Sequence, residues 1–474
     1  MTPTPTSSPP CSPPSPEDSG LRSALNHLRA TEADRLQQLS DWLRIPSISS
    51  DPENIPDMVA SAAWCADFLN RAGLDAVTIH PTAGHPIVTA SWRHAPGAPT
   101  LLIYGHYDVQ PVDPLALWEA DPFDPLVRDE RIFARGSADD KGQILMHMQA
   151  VAALLATTDT LPINVVFLIE GEEEIGSPNL PEFLIANQAL LQADLAIVSD
   201  TCQWAEGIPS ITAGLRGLAA FEIELTGANR DLHSGSFGGA VANPLEMLAR
   251  MLATLKDEHG VIRVAGFLDD VRDPTSIERF RVAELPFDER EFLASIGIET
   301  GWGEAGYALL ERLWYRPTIE INGLWGGYTG PGAKTVLPAK AHAKLSMRLV
   351  PDQTPERALQ QVMAHLNAVV PAGMRLELTP RPGGGLPWRL DTELPAVLAA
   401  RRALRESFGR EPVIIGEGAT IPVVADFERL LAIKTLLVGF SLPDAKPHAP
   451  NENLHLPSFH IGSESLVRLL YALV

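Results

Sequence analysis

The sequence predicts an α/β protein, a mostly parallel sheet flanked by helices, interrupted by an inserted α+β domain. Three observations carry that prediction. Thr100 to Tyr104, Ile163 to Ile169, Leu195 to Val198 and Leu436 to Phe440 are β-prone and apolar on both alternations, as strands covered on both faces must be. Stretches with helical spacing separate them. Between about Thr212 and Arg381 the pattern changes to strict alternation, in Phe221-Glu222-Ile223-Glu224-Leu225 and in Ala343-Lys344-Leu345-Ser346-Met347-Arg348, which reads as a sheet solvated on one face.

In chain order, the first 20 residues hold seven prolines and eight serines or threonines, no cation before Arg22 and no apolar core, so a disordered tail is expected there, not a signal peptide. Leu36, Leu39, Trp42 and Leu43 then follow helical spacing up to Pro46. A second helix, through Val59, Ala63, Ala66 and Leu69, ends at Gly73, a residue suited to the position after a helix. The alternating region contains a helix start at Asn243-Pro244-Leu245-Glu246, with Asn as cap and Pro at the first turn. The expected division is a main domain over residues 35–211 and 382–474, with 212–381 inserted and Gly383-Gly384-Gly385 as the hinge back.

Composition excludes several classes. With 45% hydrophobic and 20% charged residues the chain can bury a core, so it is neither disordered, collagenous nor a coiled coil. A net charge of −22 repels phosphate backbones and anionic lipid, which argues against nucleic-acid or membrane-surface binding and leaves small substrates and metal cations as partners. No run of about 18 apolar residues is present to span a bilayer. Cys11, Cys65 and Cys202 are scattered and form no CxxC pair, as in a protein of a reducing, cytoplasmic compartment.

Polar residues gather just beyond the four apolar runs: Gly105-His106-Tyr107-Asp108, Glu170 to Glu174, Ser199-Asp200, and a loop reaching His448. Ligands of open parallel sheets bind beyond the carboxyl ends of the strands, so these groups are candidates to converge. His106 and Asp108 lie two apart on extended chain, hence on one side, and a metal-bound histidine usually gives its second N–H to a carboxylate; taken alone, the pair also suits an ordinary polar strand end. Asp139-Asp140, between Arg135 and Lys141 at a helix start, suits either a capped, salt-bridged turn or a carboxylate bridging two metals.

Four carboxylates within Glu170 to Glu174, directly after a buried run, are harder to treat as a solvated surface, because they repel unless cations neutralise them or some stay protonated. Thirteen histidines are available; His147 reads as packing inside a helix, and composition does not separate His448 from His455 and His460. There is no HExxH, GxSxG or GxGxxG. Gly330 to Thr335 only superficially looks like a phosphate loop, since Ala333 replaces the needed glycine and Val336-Leu337-Pro338 cannot open a helix.

Taken together, Tyr104-Gly-His-Tyr-Asp-Val-Gln110, Arg135-Gly-Ser-Ala-Asp-Asp-Lys-Gly142, Glu173-Glu-Ile-Gly-Ser177, Ser199-Asp200, Asp231-Leu-His-Ser-Gly235, Gly332-Ala-Lys-Thr335, Arg348-Leu-Val-Pro351 and His448-Ala-Pro-Asn-Glu452 resemble, in their shared order, the dinuclear-zinc peptidases of the aminoacylase, carboxypeptidase and succinyl-diaminopimelate desuccinylase superfamily. The carnosinase and cytosolic nonspecific dipeptidase branch is the nearest in look, over about residues 35 to 474.

The resemblance implies a zinc-peptidase-like catalytic domain with a lid and dimerisation insert, two divalent ions per subunit, zinc or manganese, and a homodimer. By similarity His106 and Asp200 would hold one ion, Glu174 and His448 the other, and Asp139 would bridge them. Asp139, Glu173, Glu174 and Asp200 then set four negative charges against four positive ones. Asp108 would orient His106, Glu173 would be the general base, and the Asp139–Asp140 peptide would be cis. His233 would reach a neighbouring subunit's site to stabilise the oxyanion, Arg348 would grip the substrate carboxylate, and Thr335 and Thr420 would add substrate contacts. A dipeptide is the implied substrate, with an N-acyl amino acid as the alternative. Three departures bear on the substrate side chain: Lys446-Pro447 replaces the branch's Gly-Ala, Ala419 stands where Gly is usual, and Gly171-Glu172 adds a charge at a variable position.

Overall fold

The structure is a computed structural model that describes residues 16–381 and 383–474. The chain forms two compact units, one of residues up to 209 with 393–412 and 436–474, the other of 210–392 with 413–435. The second unit therefore returns to the first at 392 and again at 435, where the sequence suggested one return at 382. Long-range pairing is the reason: the strand Val413–Glu417 runs parallel to Ser210–Leu215, and Trp388–Arg389 pairs antiparallel with that same strand. Gly383 to Gly385 lies inside the second unit. Gly385 and Leu218 exchange backbone hydrogen bonds, and a Cβ on Gly384 would stand 2.6 Å from Leu218 O, so the glycines permit close strand approach. Of the expected N-terminal tail, residues 1–15 lie outside the described residues, and Pro16–Ala30 is a helix.

In the first unit, Asp75–His80, Ile87–Trp92, Asn164–Glu170, Thr100–His106 and Leu195–Val198 lie side by side in that order. The first two pair antiparallel, as their six-residue connection requires, and Ile87–Trp92 is also antiparallel to Asn164–Glu170. Asn164–Glu170, Thr100–His106 and Leu195–Val198 are mutually parallel. The sheet is thus mixed and mostly parallel at its centre. All seven residues of Asn164–Glu170 are buried, which explains a run apolar on both alternations.

The helix Lys141–Thr158 is buried almost all round, from Lys141 to Leu155. It packs on Thr100–His106 and is covered by the helices Pro16–Ala30 and Leu456–Ala472. An all-round apolar helix is what such a doubly covered position demands. The second expected helix is Ile55–Arg71, followed by Gly73 at φ +91°, as that glycine suggested. A small antiparallel sheet places Asn453–His455 beside Arg131–Phe133.

The second unit is built on an antiparallel sheet in the order Thr318–Gly326, Lys340–Leu349, Gly217–Thr226, Arg375–Pro380. Burial alternates residue by residue along Gly217–Thr226. Phe221, Ile223, Leu225, Leu345 and Met347 form a core with Leu248 and Met251 of the helix Pro244–Ala253 and Val362 and Leu366 of Pro355–Ala368. Asn243 caps the former helix, accepting from Leu245 N at 3.0 Å.

Candidate metal centre

Five polar residues of the first unit meet beyond the parallel strands. His106 is the last residue of Thr100–His106, Asp139 sits in the turn before Lys141–Thr158, Glu174 lies in the short 3₁₀ turn Glu173–Ile175, Asp200 follows Leu195–Val198, and His448 belongs to the loop before Asn453–His455. Their ligand atoms fall into two groups, His106 with Asp139 and Asp200, and Asp139 with Glu174 and His448, each spanning no more than 4.8 Å. Asp139 belongs to both. Its Oδ1 is 3.1 Å from His106 Nε2 and its Oδ2 is 2.9 Å from His448 Nε2. His106 Nε2 is 4.0 Å from Asp200 Oδ2, and His448 Nε2 is 3.1 Å from Glu174 Oε2.

These residues fit cations. His106 Nε2 and Glu174 Oε1 are buried and make no hydrogen bond of good geometry among the described residues, although buried polar atoms are nearly always paired. Two imidazoles and three carboxylates form a mixed N/O donor set that suits zinc or manganese.

The electrostatics agree. Burial, with Asp139 nearby, pushes the Asp200 carboxyl up to about 7, and burial with Asp139 also raises Glu174. Burial holds Glu173 well above the usual carboxylate range, reinforced by Asp200, Asp139 and Glu174. Asp139 departs in the other direction: burial would raise it, but the close approach of the His106 and His448 imidazoles holds it below its ordinary value. Contacts with Asp139 and Glu174 push His448 up to about 10.

Neighbouring groups hold these side chains. His106 Nδ1 lies 3.1 Å from the Asp108 carbonyl oxygen and 3.4 Å from its carboxylate. That carboxylate accepts the Glu173 and Glu174 amides at 3.2 and 3.1 Å, so Asp108 ties the first loop to the second. Gln110, unremarked from sequence apart from its motif, donates to Glu174 Oε2 at 2.8 Å.

The acidic run divides by role. Glu170 accepts from Tyr104 and Ser177 at 2.7 and 2.9 Å, and burial pushes it up to about 7. Glu172 is buried, accepting from the His85 amide at 2.8 Å and from the Asn179 side chain. It staples two loops and is not a loose added charge. Only Glu173 and Glu174 are left for the cluster. A Cβ on Gly171 would come 2.3 Å from Tyr107 Oη, so glycine there admits the tyrosine ring. His147 bonds Ser199 inside the protein, His455 bonds Ser458, and His460 meets Arg35, which leaves His448 as the histidine of the C-terminal segment in the cluster.

The remaining candidates occupy the second unit. Arg348 Nη1 donates to Thr420 Oγ1 at 3.0 Å, and Thr420 donates to the Arg216 carbonyl. His233 pairs with Val336 on a two-stranded ribbon, and the Ser234 amide donates to Thr335 O at 3.0 Å, so His233 and Thr335 are neighbours. His233 is exposed and accepts the Gly235 amide on Nδ1.

The model of peptidase family M20/M25/M40 matches residues 102–472. The chain belongs to this family. Members of the M20 family are metal-dependent, and the chain is a metallopeptidase, a hydrolase of peptide bonds. It is 31% identical to a Beta-Ala-His dipeptidase of Rattus norvegicus, over 95% of each chain. It is 30% identical to the Cys-Gly metallodipeptidase DUG1 of Saccharomyces cerevisiae, over 95% of this chain and 97% of that one. The crystal structure of the M20 family metallo-carboxypeptidase Sso-CP2 from Sulfolobus solfataricus superposes with a TM-score of 0.82 at 33% identity, covering 93% of this chain and 99% of that one.

A ligand must lose its proton to bind an ion, so with Asp200, Glu174 and His448 as candidate ligands their raised values would make affinity climb with pH. Calorimetric zinc titrations of the metal-free protein in two buffers of different ionisation enthalpy will show tighter binding at pH 8 than at pH 6, with about one or more protons released at pH 7. Binding without proton release would contradict this picture of the site.

Proposed function

We propose that this chain is a metal-dependent dipeptidase holding two divalent ions, zinc or manganese, one on His106, Asp139 and Asp200, the other on Asp139, Glu174 and His448. The observation that carries the reading is the Asp139 carboxylate, with one oxygen facing each histidine. When bound, such ions make water acidic enough to attack at neutral pH and polarise the scissile carbonyl.

The chain's own groups do the rest. Glu173, held by its amide on Asp108, takes a proton from the attacking water and passes it to the departing amine. Burial raises its pKa, in the direction that suits a group which must both take up and give back a proton. Asp108 keeps the His106 ring oriented. Arg348, steadied by Thr420, grips the free carboxylate at the substrate's C-terminus with its planar guanidinium. The named substrates of the rat and yeast relatives are dipeptides with such a carboxylate, and a carboxypeptidase needs one as well.

His233, with Thr335 beside it, serves the site of a second copy by donating to the developing oxyanion. Homodimerisation is supported by the strand Thr318–Gly326, an edge of its sheet on which Ile321, Leu324 and Trp325 are each close to half exposed. A cytoplasmic setting belongs to the same reading and is supported by the sparse cysteine of the sequence, three scattered residues with no CxxC pair.

Glu173→Gln will lower kcat on Ala-Ala by about 10²- to 10⁴-fold with unchanged zinc content by elemental analysis. Retained turnover would remove Glu173 as the base, and no dipeptide turnover by the zinc- or manganese-loaded wild type would defeat the function itself. Arg348→Met will weaken kcat/KM on free dipeptides by about 10- to 100-fold, the worth of a charged hydrogen bond, and change little for C-terminally amidated ones. Equal losses on both would free Arg348 of the carboxylate role. Sedimentation equilibrium will give roughly twice the chain mass of 51.3 kDa; a single-chain mass would leave His233 without a neighbouring site to serve.

A further inference from the structure

Glu452 has no part in the chemistry above, yet it is fully buried and its carboxylate is saturated with donors from a distant segment. Oε2 accepts from Arg135 Nη1 at 2.7 Å and from the Gly136 amide at 3.0 Å, and Oε1 accepts from the Ala138 and Asp139 amides at 2.9 and 3.1 Å. Its backbone carbonyl takes the Ala134 amide at 3.1 Å, and the strand that follows pairs with Arg131–Phe133. The segment that ends in Asp139 is thus wrapped around one side chain. Arg135, also buried, is anchored on its other side to the Pro111 carbonyl at 3.0 Å.

Glu452 closes the loop that bears His448. That loop places three non-glycine residues, Lys446, His448 and Asn451, in the left-handed region at φ +57°, +58° and +63°, a conformation that persists only where the surroundings impose it. The His448 side chain is 56% exposed, so packing does little to aim it, and it is held by its contacts with Asp139 and Glu174 and by the backbone of the loop that leads into Glu452. Asp139 and His448, some three hundred residues apart in sequence, meet at 2.9 Å.

We propose that Glu452 is a positioning residue that registers the Asp139 loop against the His448 loop and thereby sets the affinity of the cation site formed by Asp139, Glu174 and His448. The proposal rests on the metal reading of that cluster. Removing a partner that orients ligands weakens metal binding by about 10- to 100-fold. Asp139 is shared by both groups, but only the group with His448 loses the registration of two of its members, so the weakening is greatest at that site.

The test titrates zinc into metal-free wild type and Glu452→Gln protein against a chromophoric chelator, with thermal midpoints measured for both proteins with and without zinc. The expected result is two tight sites in wild type, one tight and one about 10- to 100-fold weaker site in the variant, and a smaller zinc-induced rise of its midpoint. A lower metal-free midpoint with unchanged zinc affinities would mark Glu452 as structural only and overturn the proposal. Wild type that binds no zinc and no manganese would instead overturn the metal reading beneath it. If the Gln protein does not fold without metal, Glu452→Asp carries the same test: the charge opposite Arg135 is kept, but the side chain is one methylene too short to reach the amides, so the same single site weakens, and wild-type affinity there would refute the proposal.

Discussion

The structure depends on the problem of keeping several carboxylates together at the end of a buried sheet. Asp139, Glu173, Glu174 and Asp200 have been taken out of bulk water and set close to one another, an arrangement that a protein tolerates only with cations or protons among them. The histidines at either side of Asp139 and the upward-shifted acids are two expressions of the same excess of negative charge. Divalent ions remove it at one stroke, which is why metal binding and the integrity of the site are one question.

The framework around the cluster is correspondingly over-determined. Asp108, Gln110, Glu172 and Glu452 each bind a loop that carries or adjoins a ligand, mostly through backbone amides. A carboxylate held by amides cannot swing, and an amide held by a carboxylate cannot drift, so the ligands are placed by main chain as much as by side-chain packing.

The parts of this design legible in the sequence were those with a local signature. The runs apolar on both alternations mark central strands, the alternating run around Phe221 marks a half-solvated sheet, and the clustered acids and histidines mark the rim where five side chains meet. What stayed hidden was long-range. Glu172 looks like a spare charge until the His85 amide is found against it, and His455 rivals His448 until Ser458 claims it. The assignment of 413–435 to the second unit depends on Val413–Glu417 pairing with a strand some two hundred residues earlier, which no local pattern announces. The helix Pro16–Ala30 shares its first turn with a proline-rich stretch whose composition masks it.

The helix Lys141–Thr158, enclosed on every side, has a further consequence. With almost no surface of its own it can accept few changes of size or polarity, and the chain that enters it is the chain that bears Asp139. A change of size along that helix would therefore be felt at the turn that holds Asp139. Arg348, Thr420, His233 and Thr335 sit instead on a unit whose sheet keeps one face in water, where substitutions come cheaply. Changes of side chain are better tolerated on that solvated face than along the enclosed helix.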